Sequence, residues 1–322
     1  MAEACGLSRP VIAVVGPTAS GKTAVAQQLA LRLDGEVLSA DSMQVYRGMD
    51  IGTGKIAPAE RLVPHHGLDL VDPGEAFSAA LYQRYARPVL ADIDARGRQP
   101  IVAGGTGFYV RAALDDYRFP AGEQVANPVR ERYQRIVEDE GPMRAWELLA
   151  ERDPESAQLI HPNNAVRVVR ALELLEAGES YARQKAALAS IPAWAPATWV
   201  GLRVDPARLA ERIDRRVDAM FDAGLVDEVN ALLNRGFEAA LTAASAIGYK
   251  EVVAALRGRC TLDEAREDVK SATRRYAKRQ RTWFRADERI RWFDADDADG
   301  QRGLDALVGR IIDQMGSATP WR

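Results

Sequence analysis

The feature that most constrains this chain is a glycine-rich segment between a short apolar run and a helical pattern. Residues 11–15 form the apolar run, and residues 16–23 (GPTASGKT) fit the pattern G-x-x-x-x-G-K-[ST]. From residue 25 onward, apolar residues recur at helical spacing. A strand, a tight turn and a helix in this order predict a phosphate-binding loop. A glycine-rich turn that binds nothing would not explain why the lysine, the threonine and both flanking elements are present together.

Each residue type in this loop has a chemical reason to be there. Glycines let backbone N–H groups curl around phosphate oxygens, and the following helix presents its positive N-terminus to the anion. Lys22 supplies a point charge, and Thr23 can ligate Mg²⁺. The predicted diphosphate-binding residues of the loop are Gly16, Pro17, Thr18, Ala19, Ser20, Gly21, Lys22 and Thr23.

Strand and helix patterns alternate on both sides of a stretch that is only helical. The further predicted strands are residues 36–39, 67–71, 100–103, 199–204 and 289–293. Helices are predicted at residues 78–96, 206–234, 262–286 and 304–315. This alternation predicts an α/β fold: a P-loop NTPase-like parallel sheet core with helices on both faces.

The strand signals vanish between residues 116 and 190, where the pattern becomes helical. Asn127 and Asp153 are expected helix starts in this stretch, and Gly178 is an expected stop. Residues 191–198 contain two prolines among small residues and are predicted to be a connector. We therefore expect residues 1–115 and 197–322 to form the P-loop core, and residues 116–196 to form an inserted all-helical domain that contacts RNA.

Composition limits where the protein can reside and which metal or disulfide sites it can form. The chain has 43 basic and 46 acidic residues, a formal net charge of −3, so any nucleic-acid-binding face must be local. No apolar run approaches the roughly 20 residues that span a bilayer, and the N-terminus does not resemble a secretory signal, so we expect a cytoplasmic protein without a membrane partner. Two cysteines, Cys5 and Cys260, and three histidines do not suit a disulfide framework or a Cys/His zinc site.

The acid that usually holds Mg²⁺ in nucleotide-dependent P-loop enzymes is missing from its expected place. The apolar run at residues 101–103 continues into residues 104–107 (GGTG), which are small and neutral, and Asp69 and Asp72 are imperfect substitutes. Asp41 follows the second predicted strand, and the C-terminal ends of parallel strands line the ligand crevice. Asp41 is therefore either a carboxylate that faces the reacting end of the ligand or a turn residue, and spacing alone favours neither.

Residues 39–55 (SADSMQVYRGMDIGTGK) closely resemble the second signature of the tRNA dimethylallyltransferases, also called tRNA isopentenyltransferases. Further matches follow in chain order at residues 16–23, 104–109, 161–163, 167, 170–173, 247–251 and 273–283. The resemblance covers nearly the whole chain and is to the compact bacterial form, which lacks the zinc finger of many eukaryotic relatives. One departure is residues 164–166 (NAV), where many relatives carry Asp-Pro-Gln.

This resemblance implies a reaction. Dimethylallyl diphosphate and tRNA give N6-dimethylallyladenosine 37, next to the anticodon of tRNAs reading codons that start with U, and diphosphate. A P-loop that holds the diphosphate of an allylic donor needs no γ-phosphate machinery, which explains the missing acid. The resemblance makes Asp41 the base for the N6 proton and Thr106 a residue that orients the adenine, with Mg²⁺ as cofactor. The tRNA-binding residues that it implies are Asp41, Ser42, Met43, Gln44, Thr106, Arg130, Val166, Arg167, Val168, Val169, Arg170, Ser245, Ala246, Ile247, Gly248, Tyr249 and Lys250.

Further cations are candidates for anion binding. Arg216 is a candidate second diphosphate clamp, and the alternative is a solvated charge beside Asp214 and Asp218. In the helix predicted at residues 262–286, four cations lie near one face, and a second series lies in the helical insertion. These residues are Lys270, Arg274, Lys278 and Arg281, and then Arg130, Arg132, Arg135, Arg167 and Arg170. We expect the two series to hold a tRNA anticodon stem-loop while the target adenine is flipped out.

Three aromatic residues are interleaved with the cations of that helix: Tyr276, Trp283 and Phe284. Core packing is favoured over base stacking for all three.

Two other functions fit part of the sequence: an ATP-dependent kinase with Asp41 as its base, and an RNA-binding P-loop switch without transferase chemistry, in which Asp41 would be dispensable. Neither of these two functions accounts for all the motifs that the chain shares with the tRNA dimethylallyltransferases. The sequence shows no long heptad pattern or additional apolar helix face that would indicate a subunit interface, so a monomer is expected.

Overall fold

A computed structural model describes residues 6–119, 127–187, 191–235, 237, 243–298 and 300–316. The chain forms two compact units, which we call the sheet unit (residues 1–115 and 193–322) and the helical unit (residues 116–192). The helical unit ends four residues before the expected residue 196, because Ala193 already pairs with Asp115 of the sheet unit in an antiparallel bridge. Within the described ranges, no helix has the length and apolarity needed to cross a membrane.

A parallel six-stranded sheet lies at the centre of the sheet unit, with the order β3-β2-β4-β1-β5-β6. The strands are β1 Val11–Val15, β2 Gly35–Ser39, β3 His65–His66, β4 Gln99–Gly104, β5 Ala197–Arg203 and β6 Ile290–Asp294. Every neighbouring pair is parallel, which confirms the predicted fold class. All five residues of β1 are buried, as expected of a central strand that is covered on both faces.

Helices follow most strands and cover both faces of the sheet. They are α1 Lys22–Leu33, α2 Ala79–Ala95, α3 Gly107–Leu114, α4 Pro128–Glu140, α5 Pro142–Arg152, α6 Pro154–Gln158, α7 Ala165–Glu176, α8 Tyr181–Ala187, α9 Pro206–Asp222, α10 Leu225–Leu233, α11 Tyr249–Leu256, α12 Leu262–Arg285 and α13 Gly300–Gly316. Local sequence sets several starts: Ser78 caps α2, and Thr261 with Glu264 forms a capping box at α12.

The sheet unit has two hydrophobic cores, one on each face of the sheet, because successive residues of a strand face opposite sides. Val11, Ala13 and Val15 of β1 pack with residues of α2, α3, α10 and α11, whereas Ile12 and Val14 pack with residues of α1, α9 and α13. Successive side chains of a strand point to opposite faces, so a continuous apolar strand supplies two cores at once. This arrangement fixes the C-terminal ends of the strands, from which the functional loops extend.

Three predicted elements differ from the structure. The third strand is His65–His66 rather than residues 67–71, because Gly67 has a φ of 81° and turns the chain out of the sheet. The helix predicted at residues 206–234 is two helices, α9 and α10, since Gly224 has a φ of 99° between them. The last helix begins at Gly300, four residues earlier than predicted.

The helical unit consists of α4 to α8 around a small apolar core. Asn127 caps α4 and Asp153 caps α6, as their positions before helical patterns predict. The core includes Tyr133, Leu149 and Leu172, each at most 4% exposed. Buried Asp153 accepts hydrogen bonds from Ser156 and Ser180, so its polar group is satisfied within the unit.

Candidate active site

The phosphate-binding loop links β1 to α1 and requires glycine at its first position. Gly16 has a φ of 149°, and a Cβ atom there would lie 2.7 Å from the carbonyl oxygen of Leu202. Lys22 is the first residue of α1, and its Nζ donates to the carbonyl oxygen of Pro17 at 2.6 Å. The backbone N–H of Thr18 donates to Oε1 of Gln280 at 2.8 Å. A residue of α12 therefore helps to hold the loop.

The loops after β1, β2 and β4 meet at one edge of the sheet, because these strands are neighbours in the order β2-β4-β1. A Cβ atom at Gly104 would lie 2.2 Å from the carbonyl oxygen of Ala40, so glycine allows the loops after β2 and β4 to touch. Next to them is a cavity of about 310 Å³. It brings together Lys22, Thr23, Asp41 and Arg216, which lie far apart in the sequence.

Asp41 is a turn residue and also lines the cavity, and its role toward a ligand stays a prediction. Its Oδ1 accepts a hydrogen bond from the backbone N–H of Met43 at 2.9 Å, as a turn residue would. The side chain also lines the cavity together with the predicted residues Ser42, Met43 and Gln44. Because the turn bond uses only Oδ1, it fixes the carboxylate without preventing Oδ2 from meeting a ligand.

Thr106 supports the Asp41 turn rather than lining the cavity. Its Oγ1 accepts from the backbone N–H of Ser42 at 3.1 Å and donates to Oγ of Ser42 at 3.3 Å. Gln44, in the same turn, accepts a 2.9 Å hydrogen bond from the hydroxyl of Ser39. The loops after β2 and β4 are thus tied together by side-chain hydrogen bonds beside the carboxylate.

The two cations of the cavity carry perturbed electrostatics. Burial lowers the pKa of Lys22 to about 7, the Asp41 carboxylate opposes this shift, and Arg216 adds to it. Burial also lowers the pKa of Arg216 below its ordinary value, again opposed by Asp41. Neither cation has a carboxylate within ion-pair distance among the residues that the structure describes. A multivalent anion would relieve this unfavourable burial of positive charge.

The position of Arg216 depends on a second glycine-containing loop. Its Nη2 donates to the carbonyl oxygen of Thr53 at 3.3 Å. At Gly54, where φ is 59°, a Cβ atom would lie 1.8 Å from the same nitrogen. Residues 50–54 therefore form a wall against which the guanidinium rests, and only glycine leaves space for it. Arg216 is part of the cavity wall, and the alternative of a solvated helix charge is wrong.

Glu228 holds that loop in place and was not identified from the sequence. Its Oε2 accepts from the backbone N–H groups of Asp50 at 3.0 Å and Ile51 at 2.8 Å. Its Oε1 accepts from the N–H of Gly52 at 3.1 Å and the hydroxyl of Tyr249 at 2.6 Å. Four donors on one carboxylate make a strong, directional clamp. An acid in the first turn of a helix, as Glu228 is in α10, is ordinary and carries no sequence signal for this role.

Tyr276 and Gln280 of α12 complete the connection between the loops. Nε2 of Gln280 donates to the carbonyl oxygen of Gly105 at 2.9 Å, while its Oε1 accepts from Thr18, so one buried amide joins the loops after β1 and β4. Burial and the charge of Asp41 raise the pKa of Tyr276 to about 12, although hydrogen bonds with Thr106 and Gln280 partly oppose this. Both side chains line the cavity.

The cavity suits a Mg²⁺ ion held largely by its ligand. Thr23 lines the cavity, and the hydroxyl of Ser20 in the same loop is buried without a hydrogen-bond partner among the described residues. The described parts of the chain contain no group of three or more His, Cys, Asp or Glu side chains placed to hold a metal. Mg²⁺ prefers oxygen ligands and usually keeps substrate phosphates and waters in its shell, so this sparse set of oxygen donors fits it.

The RNA-binding residues predicted in the helical unit divide into exposed and buried ones. Val166 is 83% exposed, and Arg167 beside it is also exposed. Val168 and Val169 are 0% and 5% exposed, so their side chains pack inside the unit and do not face solvent, contrary to the predicted contact. This follows from the helical period, which turns every third or fourth residue of α7 inward.

The predicted arginines of this unit are mostly paired. Arg130 lies 2.8 Å from Glu173, and Arg170 lies 3.3 Å from the same carboxylate, whose side chain is 3% exposed. Arg132 lies 2.8 Å from Glu176. These cations therefore satisfy acids within their own unit, whatever else they contact.

The predicted residues 245–250 also divide. Ser245, Ala246 and Ile247 line the cavity of the sheet unit, and Lys250 is exposed. Tyr249 is fully buried with its hydroxyl on Glu228, so its predicted contact with RNA is wrong for the side chain. Gly248 has a φ of 95°, which suits the turn into α11.

The basic face predicted on α12 is shifted along the helix. Lys270 lies 2.9 Å from both Asp218 and Glu267, and Arg274 pairs with Asp214, so these two cations contact carboxylates. Further along, α12 exposes Arg275, Lys278, Arg279 and Arg285. Phe284 is 2% exposed, as core packing predicts, but Trp283 is 46% exposed, so that prediction is wrong for Trp283.

Comparison with known proteins gives a consistent result over nearly the whole chain. The family model described as IPP transferase matches residues 44–287, and the model described as isopentenyl transferase matches residues 9–63. The tRNA dimethylallyltransferase of Desulforudis audaxviator is 46% identical over 95% of this chain and 98% of that protein. The corresponding protein of Streptomyces coelicolor is 48% identical over 90% of this chain and 91% of its own.

Solved structures agree with the sequence comparison. The full-length tRNA isopentenylpyrophosphate transferase of Bacillus halodurans superposes with a TM-score of 0.68 and 41% identity, covering 95% of this chain and 97% of that one. A eukaryotic dimethylallyltransferase, described as acting on tRNA, superposes with a TM-score of 0.80 and 28% identity, covering 98% of this chain and 81% of that one.

Proposed function

Since the chain belongs to the IPP transferase family, we propose that it transfers the dimethylallyl group of dimethylallyl diphosphate to tRNA. The acceptor is N6 of adenosine 37, next to the anticodon of tRNAs that read codons starting with U. The products are N6-dimethylallyladenosine and diphosphate. This makes the chain a prenyltransferase that modifies tRNA, with dimethylallyl diphosphate and the tRNA anticodon stem-loop as its two substrates.

One observation carries the proposal: a single cavity is lined by a carboxylate on a fixed turn and by two partly buried cations that have no carboxylate partner in the described residues. Lys22 and Arg216 suit a diphosphate, and Asp41 suits a nucleophile that must lose a proton. The exocyclic amine of adenine is a poor nucleophile, so a base at this position gives a clear advantage. The cavity also offers apolar side chains, Val217, Met220 and Ile247, to a short prenyl chain.

In the proposed reaction, the bond between N6 of adenine and C1 of the dimethylallyl group forms while the bond between C1 and the diphosphate oxygen breaks. Asp41 accepts the proton that N6 loses. The negative charge that develops on the leaving diphosphate meets Lys22, Arg216 and the backbone N–H groups of the phosphate-binding loop. Thr106 fixes the turn that carries Asp41, so we assign it a positioning role in orienting the adenine.

The proposed cofactor is Mg²⁺, held by Thr23 and by the diphosphate. It would neutralise part of the charge on the leaving group. The few hydroxyls of the phosphate-binding loop, Thr23 and Ser20 among them, agree with an ion that arrives with its ligand. We further propose that the enzyme works as a monomer in the cytoplasm, and that Arg167 and the exposed cations of α12 contact tRNA phosphates.

The test is transfer of label from dimethylallyl diphosphate to unmodified tRNA in the presence of Mg²⁺. We expect one dimethylallyl group per acceptor tRNA, located on adenosine 37 by nuclease digestion and mass spectrometry. A tRNA with guanosine at position 37 is the matched control and should accept none. Absence of transfer together with phosphate release from ATP would overturn the proposal in favour of a kinase.

A further inference from the structure

One face of α12 runs from inside the cavity to the protein surface. Tyr276, Arg279 and Gln280 line the cavity, and Trp283 follows on the same face, at the helical spacing of three and four residues. Trp283 lies one turn beyond Arg279, which is about 6 Å along the helix axis. The indole therefore stands just outside the region where a base would enter.

The indole of Trp283 is held against the backbone of the loop after β4. A Cβ atom at Gly107 would lie 2.0 Å from Nε1 and 2.2 Å from Cδ1 of Trp283. Only glycine at this position lets the ring lie so close, and the neighbouring residue Thr106 supports the turn of Asp41. The ring is thus placed relative to the reacting site before any ligand arrives.

Trp283 remains 46% exposed although it is the largest type of side chain, while the next residue, Phe284, is 2% exposed. Phe108, directly after Gly107, is 37% exposed. Burying such rings is favourable, so an exposed tryptophan that is fixed on one side is a ready surface for a planar partner.

The charge around Trp283 specifies the kind of partner. The helix exposes Arg275, Lys278, Arg279 and Arg285 on either side of the ring, and it has no acidic residue between Val269 and Arg285. A planar group that comes with negative charge fits this surface, and a nucleotide of an unpaired RNA strand provides both. An apolar protein partner would not explain the run of exposed cations.

We propose that Trp283 stacks on the nucleobase next to the reacting adenine and that it forms an RNA subsite outside the catalytic cavity. The inference rests on the proposed function for the identity of the RNA. When the target adenine leaves the stack and enters the cavity, its neighbour in the loop loses a stacking partner. The indole takes the place of that partner, which lowers the cost of base flipping.

The experiment measures binding of an anticodon stem-loop RNA to Trp283→Ala, Trp283→Phe and the control Leu262→Ala, without dimethylallyl diphosphate. Leu262 is 45% exposed at the far end of the same helix. Each protein is also tested with stem-loops that carry an abasic residue at position 36 or 38. We expect Trp283→Ala to raise Kd about 5- to 100-fold, Trp283→Phe to stay within about 3-fold of wild type, and Leu262→Ala to have no effect.

Combining Trp283→Ala with an abasic stem-loop shows which base, if any, the indole contacts. At one of the two positions, the abasic stem-loop should bind wild type and Trp283→Ala equally weakly, because both changes remove the same contact. If the losses multiply at both positions, or if Trp283→Ala binds like wild type, the subsite does not exist. Should Trp283→Ala fail to fold, the loss of stem-loop-induced fluorescence quenching in Trp283→Phe replaces it as the test.

The same proteins separate this inference from the proposed function. Unchanged KM for dimethylallyl diphosphate in Trp283→Ala shows that the cavity is intact. Wild-type transfer with no Trp283 effect on RNA binding overturns only the subsite. Absence of wild-type transfer with a Trp283-dependent RNA affinity overturns only the reaction.

Discussion

The two cations that line the cavity of the sheet unit and the paired arginines of the helical unit are in opposite situations. In the sheet unit, Lys22 and Arg216 are partly buried, line a cavity and have no carboxylate within ion-pair distance among the described residues. In the helical unit, Arg130 and Arg170 share Glu173, and Arg152 lies 2.8 Å from Glu176. Hydrogen bonds from Tyr133 and Arg152 lower the pKa of Glu176 to about 2.

This difference distinguishes a cation that stabilises the fold through a protein carboxylate from a cation that is available to bind an anionic ligand. A buried charge without a protein partner is unfavourable in the free enzyme, and a bound anion removes that cost. A paired arginine gains little from a new anion, because it must first lose its carboxylate. Whether a cation is paired with a protein carboxylate is therefore more informative about function than the occurrence of the cation in the sequence. Each prediction below tests one side of this contrast.

The largest effect is expected from removing a cation that lacks a protein acid. Lys22→Met should lower the rate of dimethylallyl transfer about 100- to 1,000-fold, because the developing charge on diphosphate loses one of the two cations that line the cavity. Arg152→Met, which removes a paired cation, should change the rate less than about 3-fold. Steady-state kinetics of both variants check this. Similar losses in the two variants would erase the contrast between the units.

A smaller effect is expected from the clamp that positions Arg216. Glu228→Gln replaces one acceptor oxygen by an amide that cannot accept from Gly52 or Tyr249. We expect a loss of about 1.5–3 kcal/mol in the free energy of unfolding and about a 10-fold rise in KM for dimethylallyl diphosphate. Asp227→Asn, on the neighbouring exposed residue, is the control. Unchanged KM in Glu228→Gln would mean that the loop does not position Arg216.

The helical unit should respond in stability rather than in donor binding. Burial alone would raise the pKa of Asp153, but hydrogen bonds from Ser156 and Ser180 outweigh it and lower the pKa below its ordinary value. A carboxylate with a lowered folded pKa stabilises the protein above its unfolded pKa of about 4 and loses this effect as pH falls.

Asp153→Asn should therefore reduce the free energy of unfolding by about 1–3 kcal/mol at pH 7, and less at pH 3. Denaturant unfolding at the two pH values measures the difference. KM for dimethylallyl diphosphate should not change. A stability loss that is the same at both pH values would show that the charge of Asp153 is not the stabilising feature.

The smallest predicted signal is a proton. Because the pKa of Lys22 is about 7 in the free enzyme, its amine is mostly neutral at pH 8 and mostly charged at pH 6. A bound diphosphate raises that pKa, so binding should take up nearly one proton at pH 8 and little at pH 6. Calorimetry in two buffers of different ionisation enthalpy measures the uptake. Lys22→Arg corrects for titration of the ligand, and uptake equal to wild type in that variant would contradict the prediction.

The sequence predicted the parts of the fold that depend on local patterns. The phosphate-binding loop, the alternation of strands and helices, and the caps at Asn127 and Asp153 all follow from spacing. It also singled out Arg216, which lies in the cavity wall, as a diphosphate clamp, and the clamp itself stays a prediction. The third strand was misplaced because a two-residue edge strand, His65–His66, leaves almost no pattern.

What the sequence could not predict are contacts between distant segments. Glu228 and Gln280 accept from or donate to backbone groups of loops that lie more than 170 residues away in the sequence. The pairing of Lys270 with Asp218 and the exposure of Trp283 likewise depend on how α12 packs against other elements. Helical spacing shows which residues share a face, but not what that face touches.

The central claim is that Asp41 takes the proton from N6 of the acceptor adenine. Asp41→Asn retains an oxygen that can accept the hydrogen bond from Met43 but cannot act as a base at neutral pH. The direct measurement is the single-turnover rate of transfer, with the affinities of dimethylallyl diphosphate and stem-loop RNA measured in parallel. We predict a rate at least about 100-fold lower with both affinities within about 3-fold of wild type. A rate close to wild type, or a loss explained entirely by weaker binding, would contradict the claim.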